Sequence, residues 1–241
     1  SITQDDAHVF CRESQLEAAI EGIWDLITTF YSTFGFNNLT PRFSRRDSDP
    51  KFKGADEFWT KAEGAIKNLI EKKANDNWTD GEGEAAFYGP KVDFMAKDSI
   101  GRTWQVGTIQ VDFVQPSNFG LECVNEEGKR EPIVMIHCAI SGSLERFFSV
   151  YIEHVAGNFP LWMSPTQIAL LPISDKHHEY ASTVAKKLRD EGLRVDLDSS
   201  KEGLGKKIRA VREMKTPYWA VIGDAEVTNG TVTLEHRSEG K

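Results

Sequence analysis

The chain has 241 residues, 39% hydrophobic and 10% aromatic, so it can bury the core of one large domain or of two small ones. Its three cysteines form no CxxC pair, which argues against a secreted disulfide framework, and no apolar stretch approaches the roughly 20 residues that cross a bilayer. The net charge of −8 disfavours a generic nucleic-acid binder, because phosphate contacts need clustered Lys and Arg. We therefore expect a globular, cytoplasmic protein that does not enter a membrane, in which any nucleic-acid binding is local.

The first part of the chain predicts one strand followed by two helices. The run TQDDAHVFC alternates as a strand does, which places Gln4, Asp6 and His8 on one face. Apolar residues recur at helical spacing over 14–34 and predict a long amphipathic helix. The polar stretch over 37–56 predicts strand and loop, and a second amphipathic helix follows it.

The middle of the chain predicts an antiparallel hairpin. AAFYGPKVDFMAKD and TWQVGTIQVDFV are typical of two strands around a turn at 99–102, and Thr108, Gln110 and Asp112 share a face of the second strand. The apolar strand PIVMIH leads into GSLERFFSVYIEHVAG, which predicts a buried helix. This order favours an antiparallel sheet with helices rather than an alternating parallel sheet.

The pattern changes at 160–165, where a second domain is predicted to begin. QIALLPI predicts a strand, EYASTVAKKLRDEG a helix that ends at Gly192, and LRVDLD another strand. GLGKKIRAVREMK and YWAVIGD continue the alternation, and GTVTLEHR closes it. We therefore expect two domains, over 1–160 and 161–241, the second a small α/β domain.

Polar side chains that share a strand face recur on three of the predicted strands. One such face lines a cleft or lies at the solvent side of an antiparallel sheet, because burying it against an apolar core costs energy for each unpaired group. Three such faces favour a polar cleft across one sheet.

Two kinds of residue near these strands have more than one interpretation. His8 and His137 carry imidazoles, which bind zinc, but they show no metal-ligand spacing. Arg146 lies in the first turn of the helix predicted to be buried, where a guanidinium needs a carboxylate, a phosphate or an aromatic face. Glu145 or another acid is a candidate for a purely structural ion pair with it.

Four runs carry a resemblance to a known family. QDDAHVFC, AAFYGPKVDF, QVGTIQVDF and MIHCAISGSLERF occur in this order, and together they resemble threonyl-tRNA synthetases. YSTFGF, GADEFWTKAE and VIGDAEV extend the resemblance over essentially the whole chain. It implies an α/β (α+β) fold, in which a partial class II antiparallel-sheet catalytic core over 1–160 precedes a mixed-sheet anticodon-binding domain over 161–241.

The resemblance also implies an activity, that of a threonine–tRNA ligase or a fragment of one. Such an enzyme uses ATP, with Mg²⁺, to convert L-threonine to threonyl-adenylate and transfers it to tRNA(Thr). His8 and His137 would be two of three protein ligands of a zinc ion that binds threonine. Other roles implied by the resemblance are threonine binding by Asp6, Gln4, Tyr88, Gln110 and Ser143, ATP binding by Gln105, Thr108 and Arg146, and catalysis by Arg146 and by Lys91, whose role is open.

The chain departs from the family at several points. Cys138 stands where an arginine usually follows the zinc histidine, and we expect it to pack in the core. The cysteine that completes the zinc site, the motif 2 arginine, the motif 1 dimer segment and the editing region all lie upstream of Ser1 in the family. The chain also stops short of the last expected helix. We therefore expect a fragment of a protein that is a homodimer at full length.

The second domain carries a local excess of positive charge. Its basic residues between 201 and 215 are Lys201, Lys206, Lys207, Arg209, Arg212 and Lys215. They predict contact with tRNA phosphates, although a solvated helix face would look the same. The resemblance places Arg209, Glu226 and Lys215 near the anticodon, whereas Glu235 stands where an arginine is common. The alternative to an enzyme is a catalytically inactive synthetase-like fragment that binds tRNA through this domain.

Overall fold

The computed structural model describes residues 2–98 and 100–238. These residues form two compact units, which divide between Glu153 and His154. The domain boundary predicted at 160 stays a prediction, and each unit is described here by itself.

Unit 1 is built on one twisted, mainly antiparallel sheet. Its strands are β1 (Ala7–Arg12), β2 (Thr40–Arg45), β3 (Thr79–Glu82), β4 (Lys91–Lys97), β5 (Thr103–Asp112), β6 (Glu122–Val124) and β7 (Arg130–Ala139). The order is β1-β7-β5-β4-β2-β3, with β6 paired to β7, and among these pairs β2 and β3 run parallel. The predicted antiparallel core is confirmed.

Helices accompany this sheet, and the first of them packs against one of its faces. They are α1 (Leu16–Thr33), α2 (Asp56–Ala74), α3 (Val114–Asn118) and α4 (Leu144–His154). Leu16, Ile20, Trp24, Ile27 and Tyr31 recur at helical spacing along α1, and all of them are buried. Trp24 packs edge-on against Phe94 of β4 at a ring-centroid distance of 4.7 Å. The alternate strand positions point away from this core and carry polar side chains.

Two predicted strands begin later than the sequence indicates. The register of β1 with β7 starts at Ala7, and Gln4 instead forms an isolated antiparallel bridge with Ser143. Residues 85–90 form a turn closed by a bridge between Ala86 and Gly89, so β4 starts only at Lys91. The predicted hairpin of β4 and β5 is present, although Ser99 of its turn lies outside the described residues.

A β-bulge interrupts the ladder between β4 and β5. Phe94 pairs with Gly107 and Met95 pairs with Gln105, so Val106 has no opposite residue. An extra residue shifts the alternation by one position. Gln105 and Thr108, which would lie on opposite faces of a regular strand, therefore lie on the same face.

Unit 2 is a small α/β unit with a mixed sheet, as predicted. Its elements are β8 (Ile168–Pro172), α5 (His178–Asp190), β9 (Val195–Leu197), α6 (Leu204–Glu213), β10 (Tyr218–Ile222), α7 (Asp224–Asn229) and β11 (Glu235–His236). The strand order is β11-β10-β8-β9, with β11 antiparallel to β10 and the other pairs parallel. In the described part of the chain no helix is long and apolar enough to cross a membrane.

Candidate active site

The open face of the unit 1 sheet carries a row of polar residues in register. His8 pairs with His137, His137 with Gln110, and Gln110 with Lys91. Residues that are directly opposite on neighbouring strands place their side chains on the same face. The row therefore crosses four strands and brings together residues from distant parts of the sequence, as the predicted polar cleft requires.

At one end of the row lies a group that we call the histidine cluster. Its members are His8, Tyr88, Gln110, Asp112 and His137. The rings of His8 and His137 meet edge to face, with centroids 4.6 Å apart. Asp112 lies 2.9 Å from Nε2 of His137, and its other oxygen accepts the backbone N–H groups of Val114 and Gln115. Asp112 thus orients the His137 ring and leaves Nδ1 for a ligand.

Tyr88 approaches this cluster because a glycine follows it. A Cβ atom on Gly89 would lie 2.0 Å from the carbonyl oxygen of Val111, so only glycine allows the chain to run this close to β5. The Tyr88 ring lies 4.8 Å from the His137 ring, and its hydroxyl donates to Gln110. Burial raises the pKa of Tyr88, and the charges of Asp112 and Asp6 raise it further, so the hydroxyl stays protonated at neutral pH.

Both cysteines near the histidines face the core. Cys138 is 6% exposed and Cys11 is 9% exposed. Cys138 follows His137 by one position and Cys11 follows His8 by three, so each cysteine lies on the strand face opposite to its histidine. Burial raises the pKa of the Cys138 thiol, and the charges of Asp5 and Asp6 add to this. The described residues contain no group of three or more His, Cys, Asp and Glu that could hold a metal ion.

Asp5 has a structural role that the sequence does not reveal. Its carboxylate accepts the backbone N–H groups of Ile140, Ser141 and Gly142, at 3.1, 2.7 and 2.9 Å. It therefore fixes the turn that leads from β7 into α4. The neighbouring Asp6 and Gln4, both predicted to bind substrate, are exposed.

In the middle of the open face lies a second group, the Asp93 cluster. Its centre, Asp93, is fully buried and accepts hydrogen bonds from several strands. The donors are Arg42, Ser44, Lys91, Gln105 and Thr108. Sequence reasoning identified three of the donors as site residues and missed Asp93, Arg42 and Ser44. Lys91 and Asp93 are two positions apart on one strand and therefore share a face. This spacing could have indicated that Asp93 is a site residue.

Arg146 lies at the edge of the open face. The prediction that it is interior is wrong, because the residue is exposed, and its guanidinium lies 5.4 Å from the centroid of the Trp104 ring. The candidate ion pair with Glu145 is also wrong, because Glu145 accepts the Ser143 hydroxyl and the Thr3 backbone N–H. Ser143 in turn caps α4 by accepting the Arg146 backbone N–H at 3.3 Å.

The residues predicted to bind ATP line a cavity of about 210 Å³. Its polar lining includes Gln4, Gln105, Thr108, Ser143 and Arg146. The predicted site residues therefore fall into two neighbouring groups on one face, with the cavity on one side and the histidine cluster on the other.

In unit 2 the predicted basic surface is smaller than the sequence indicates. Lys207 is 5% exposed, lies 3.4 Å from Asp198 and donates to the Pro172 carbonyl. Lys215 is half-buried and donates to the Ala156 carbonyl. The basic residues that remain exposed are Lys201, Lys206, Arg209 and Arg212.

Ion pairs with nearby glutamates reduce this charge further. Lys206 pairs with Glu202 at 2.9 Å, and Arg209 pairs with Glu213 at 2.7 Å. Glu226 accepts the backbone N–H of Gly223 and so caps α7. Half of the exposed bases are therefore already paired before any partner binds.

Comparison with known proteins agrees with this fold. The chain belongs to the tRNA synthetase class II core domain family (G, H, P, S and T), which matches residues 1–155. An anticodon binding domain matches residues 167–241. Prolyl-tRNA synthetase from Cryptosporidium parvum, at 14% identity and a TM-score of 0.66, shares the fold alone.

Within this class, the more similar relatives are enzymes specific for threonine. The chain is 45% identical to the threonine–tRNA ligase of Natranaerobius thermophilus and 46% identical to that of Rubrobacter xylanophilus, over 100% of its own length. It spans only 37% and 38% of the length of these two proteins. The crystal structure titled as the RNA binding domain of threonyl-tRNA synthetase from Cryptosporidium parvum Iowa II matches at a TM-score of 0.91 and 38% identity, over 98% of this chain and 58% of that one. The resemblance seen in the motifs is confirmed.

Proposed function

We propose that the chain supplies the threonine and ATP contacts, and part of the tRNA contacts, of a threonine–tRNA ligase. The observation that carries this proposal is the register of His8, His137 and Gln110 across β1, β7 and β5, beside a cavity lined by Arg146. An amino acid at the histidine cluster and a nucleotide in the cavity would lie side by side on one sheet face. Catalysis would then come mainly from positioning and from neutralising charge.

In this reaction a carboxylate oxygen of threonine attacks the α-phosphorus of ATP, and pyrophosphate leaves. The tRNA terminal ribose hydroxyl then attacks the carbonyl carbon, and AMP leaves. Arg146, which is exposed and lies over the Trp104 ring, is placed to hold the nucleotide. Lys91 contributes an ammonium group in the middle of the face, where charge develops.

Tyr88, Gln110 and Asp6 would bind threonine. Tyr88 and Gln110 hold each other by a hydrogen bond, so their remaining polar atoms are fixed before substrate arrives. Asp6 is exposed and close enough for its charge to act on Tyr88, which suits an acceptor for the threonine hydroxyl. Gln4 and Ser143 form a bridge at the junction of the two groups.

The donor set fits part of a zinc site. His8 and His137 would hold the ion together with a thiolate from outside the described residues, since structural and catalytic zinc sites need at least three protein ligands. The bound metal would supply a Lewis acid for the amino and hydroxyl groups of threonine. Asp112 would keep His137 in the orientation it already has. Mg²⁺ would accompany ATP.

We assign tRNA(Thr) binding to unit 2 and a cytoplasmic location and homodimeric state to the full-length protein. The exposed bases of α6, together with Lys201, offer phosphate contacts. Arg209, Lys215 and Glu226 are retained as candidate anticodon contacts. Their present partners, Glu213, the Ala156 carbonyl and the Gly223 N–H, would have to be exchanged or shared.

ATP–pyrophosphate exchange with the full-length protein tests the enzymatic proposal. We expect exchange with threonine and much weaker exchange with valine, which has threonine's shape but no hydroxyl, so the polar groups built to bind the hydroxyl stay unpaired. Serine provides the hydroxyl without the methyl group and should be intermediate. A protein that binds tRNA(Thr) but exchanges with none of the three would instead be an inactive synthetase-like tRNA binder.

A further inference from the structure

The Asp93 carboxylate is the most heavily hydrogen-bonded side chain on the open face. It is fully buried, and both of its oxygens are used. Oδ2 accepts from Arg42 at 3.0 Å, Ser44 at 2.7 Å and Lys91 at 2.9 Å. Oδ1 accepts from Gln105 at 2.8 Å and Thr108 at 3.0 Å. A buried carboxylate with two ion pairs cannot turn away from these partners without a large desolvation cost.

The donors lie on two sides of the carboxylate. Arg42 and Ser44 belong to the neighbouring strand β2 and reach the carboxylate from that side of the same face. Gln105 and Thr108 belong to β5 and line the 210 Å³ cavity. The bulge at Val106 is what allows both of them to reach the same oxygen atom. Asp93 therefore connects β2 to the wall of the cavity.

A carboxylate accepts hydrogen bonds and donates none, and this fixes which atoms its partners turn toward the cavity. The Thr108 hydroxyl must point its hydrogen at Asp93, so only its oxygen lone pairs remain for a ligand. The Gln105 amide must point its NH₂ group at Asp93, which leaves its carbonyl oxygen for the same purpose. The orientation of both groups follows from chemistry and does not depend on how the amide was assigned.

Lys91, in contrast to Gln105 and Thr108, offers a hydrogen-bond donor to a ligand. Its ammonium has three N–H donors, and the two oxygens of Asp93 take at most two of them, at 2.9 and 3.2 Å. Arg42 and Lys91 together carry two positive charges against one negative charge on Asp93. The cluster therefore keeps a donor and a net positive charge beside two acceptors.

We propose that Asp93 is a positioning residue that sets the hydrogen-bond polarity of the nucleotide site, so that Gln105 and Thr108 accept from the ribose hydroxyls while Lys91 donates to an anionic oxygen. This inference rests on the proposed function, since it assumes that a nucleotide occupies the cavity. Asp93 itself touches no substrate. It acts through three side chains, and a neutral amide at this position would let the hydroxyl and the Gln105 amide turn over.

The test compares ATP with 2′,3′-dideoxy-ATP in threonine-dependent pyrophosphate exchange by the full-length protein. The wild type should prefer ATP in kcat/KM by about 10- to 100-fold, because the dideoxy ribose leaves two acceptors unpaired. Asp93→Asn should lower this ratio several-fold, because Gln105 and Thr108 are no longer held in one orientation, although a ribose hydroxyl can also accept from them when they turn over. Asp93→Glu, which can still only accept, should lower the rate but keep most of the preference. A merely structural role would lower both nucleotides' rates together and leave the ratio unchanged.

Asp80→Asn is the matched control. Asp80 is another carboxylate of the same sheet that pairs with an arginine, Arg45 at 2.9 Å, but it lies on the edge strand β3. This variant should keep the wild-type ratio. If Asp93→Asn does not fold, Thr108→Val carries the test, because it removes one of the acceptors and should lower the ratio as well.

The ratio of the two kcat/KM values decides between the outcomes. A retained ratio in folded Asp93→Asn, or in Thr108→Val, overturns the proposal, and so does a wild type that exchanges with threonine but does not discriminate between the nucleotides. A wild type without threonine-dependent exchange overturns the proposed function instead.

Discussion

The two groups on the open face of unit 1 are built in opposite ways. In the Asp93 cluster the central carboxylate is fully buried and has five donors. In the histidine cluster His8 is exposed, and its ring meets the His137 ring edge to face. The members of the first group are held in place before a ligand arrives, whereas His8 in the second group has still to gain a hydrogen-bond or metal partner.

This difference indicates how the two ends of the site divide their tasks. Preorganised polar groups stabilise developing charge because they need no rearrangement during reaction. Exposed groups contribute little to folding and are available for binding. Changes at the exposed His8 should therefore affect activity without affecting the stability of the metal-free protein, and changes on the β2 side of the Asp93 cluster should affect stability first.

The largest effect is expected from His8→Ala. Removing one proposed metal ligand should lower threonine-dependent exchange by more than about 100-fold, which is the upper range for loss of a group that only supports a metal ligand. Zinc content, measured on the same full-length preparation, should fall as well. In zinc-free protein the unfolding transition should not move, because His8 is exposed, whereas loss of bound zinc would itself lower the stability of the zinc-loaded protein. His178→Ala, in unit 2, is the control, and a destabilised zinc-free His8→Ala variant would contradict the comparison.

Ser44→Ala tests the opposite side of the comparison. It removes a 2.7 Å hydrogen bond to a buried carboxylate and should lower the free energy of unfolding by about 1.5–3 kcal/mol, the range for a hydrogen bond to a charged group. Urea unfolding followed by tryptophan fluorescence measures it. Ser117→Ala, at an exposed serine of α3, should cost almost nothing. Equal stability of the two variants would show that the cluster is not held from β2.

Tyr88→Phe should produce a moderate and selective effect. The Gln110 side chain loses its partner, so the KM for threonine should rise about tenfold while the KM for ATP changes little. Steady-state exchange at varied threonine and ATP separates the two. Tyr180→Phe removes a comparable hydroxyl, which donates to Thr231 in unit 2, and should leave both constants unchanged. A parallel rise in both KM values would place Tyr88 outside the threonine end.

The smallest effect concerns pH and a buried carboxylate outside both clusters. Burial alone would raise the pKa of Asp98, but hydrogen bonds from Trp104, Arg102 and the backbone outweigh it and hold the pKa below its usual range. The carboxylate therefore adds stability above about pH 4, and this contribution is lost as the pH falls through the lowered pKa.

The Asp98→Asn variant should consequently have a lower free energy of unfolding than the wild type at neutral pH. The difference between the two free energies should become smaller as the pH falls. Unfolding midpoints between about pH 7 and about pH 3 measure this. Asp76→Asn, at an exposed position after α2, should follow the wild type throughout. A difference that stays constant with pH would show that Asp98 acts by its shape and not by its charge.

Much of the fold could be predicted from periodicity and turn residues. The α1 stripe, the β4–β5 hairpin and the alternation in unit 2 all depend on local pattern, and the structure contains each of them. Strand starts were predicted less well. Gln4 alternates with Asp6 and His8, yet the ladder begins only at Ala7, because Gln4 pairs with a residue that follows β7.

The site residues were predicted from residue types and from the resemblance. The site residues that were not predicted depend on which strands lie side by side and in which register. The role of Asp93 requires knowing that β2 lies beside β4, and the shared face of Gln105 and Thr108 requires the bulge at Val106. Burial of Lys207 could not be predicted either, because its partner Asp198 comes from the loop after β9. A basic residue in a helical run is normally solvated.

The Asp5 carboxylate gives the order in which this site can form during synthesis. Its three backbone donors lie 135, 136 and 137 positions later in the chain, and β1 pairs with β7 from Ala7 onward. A ribosome must therefore deliver the whole intervening segment before β1 gains its partner. Until then the edge of β1 that faces β7 has no partner, and such an edge is the kind of segment that chaperones protect from association. Translation speed through the region that encodes α2 and β4 should thus influence how much of the nascent protein reaches the folded state.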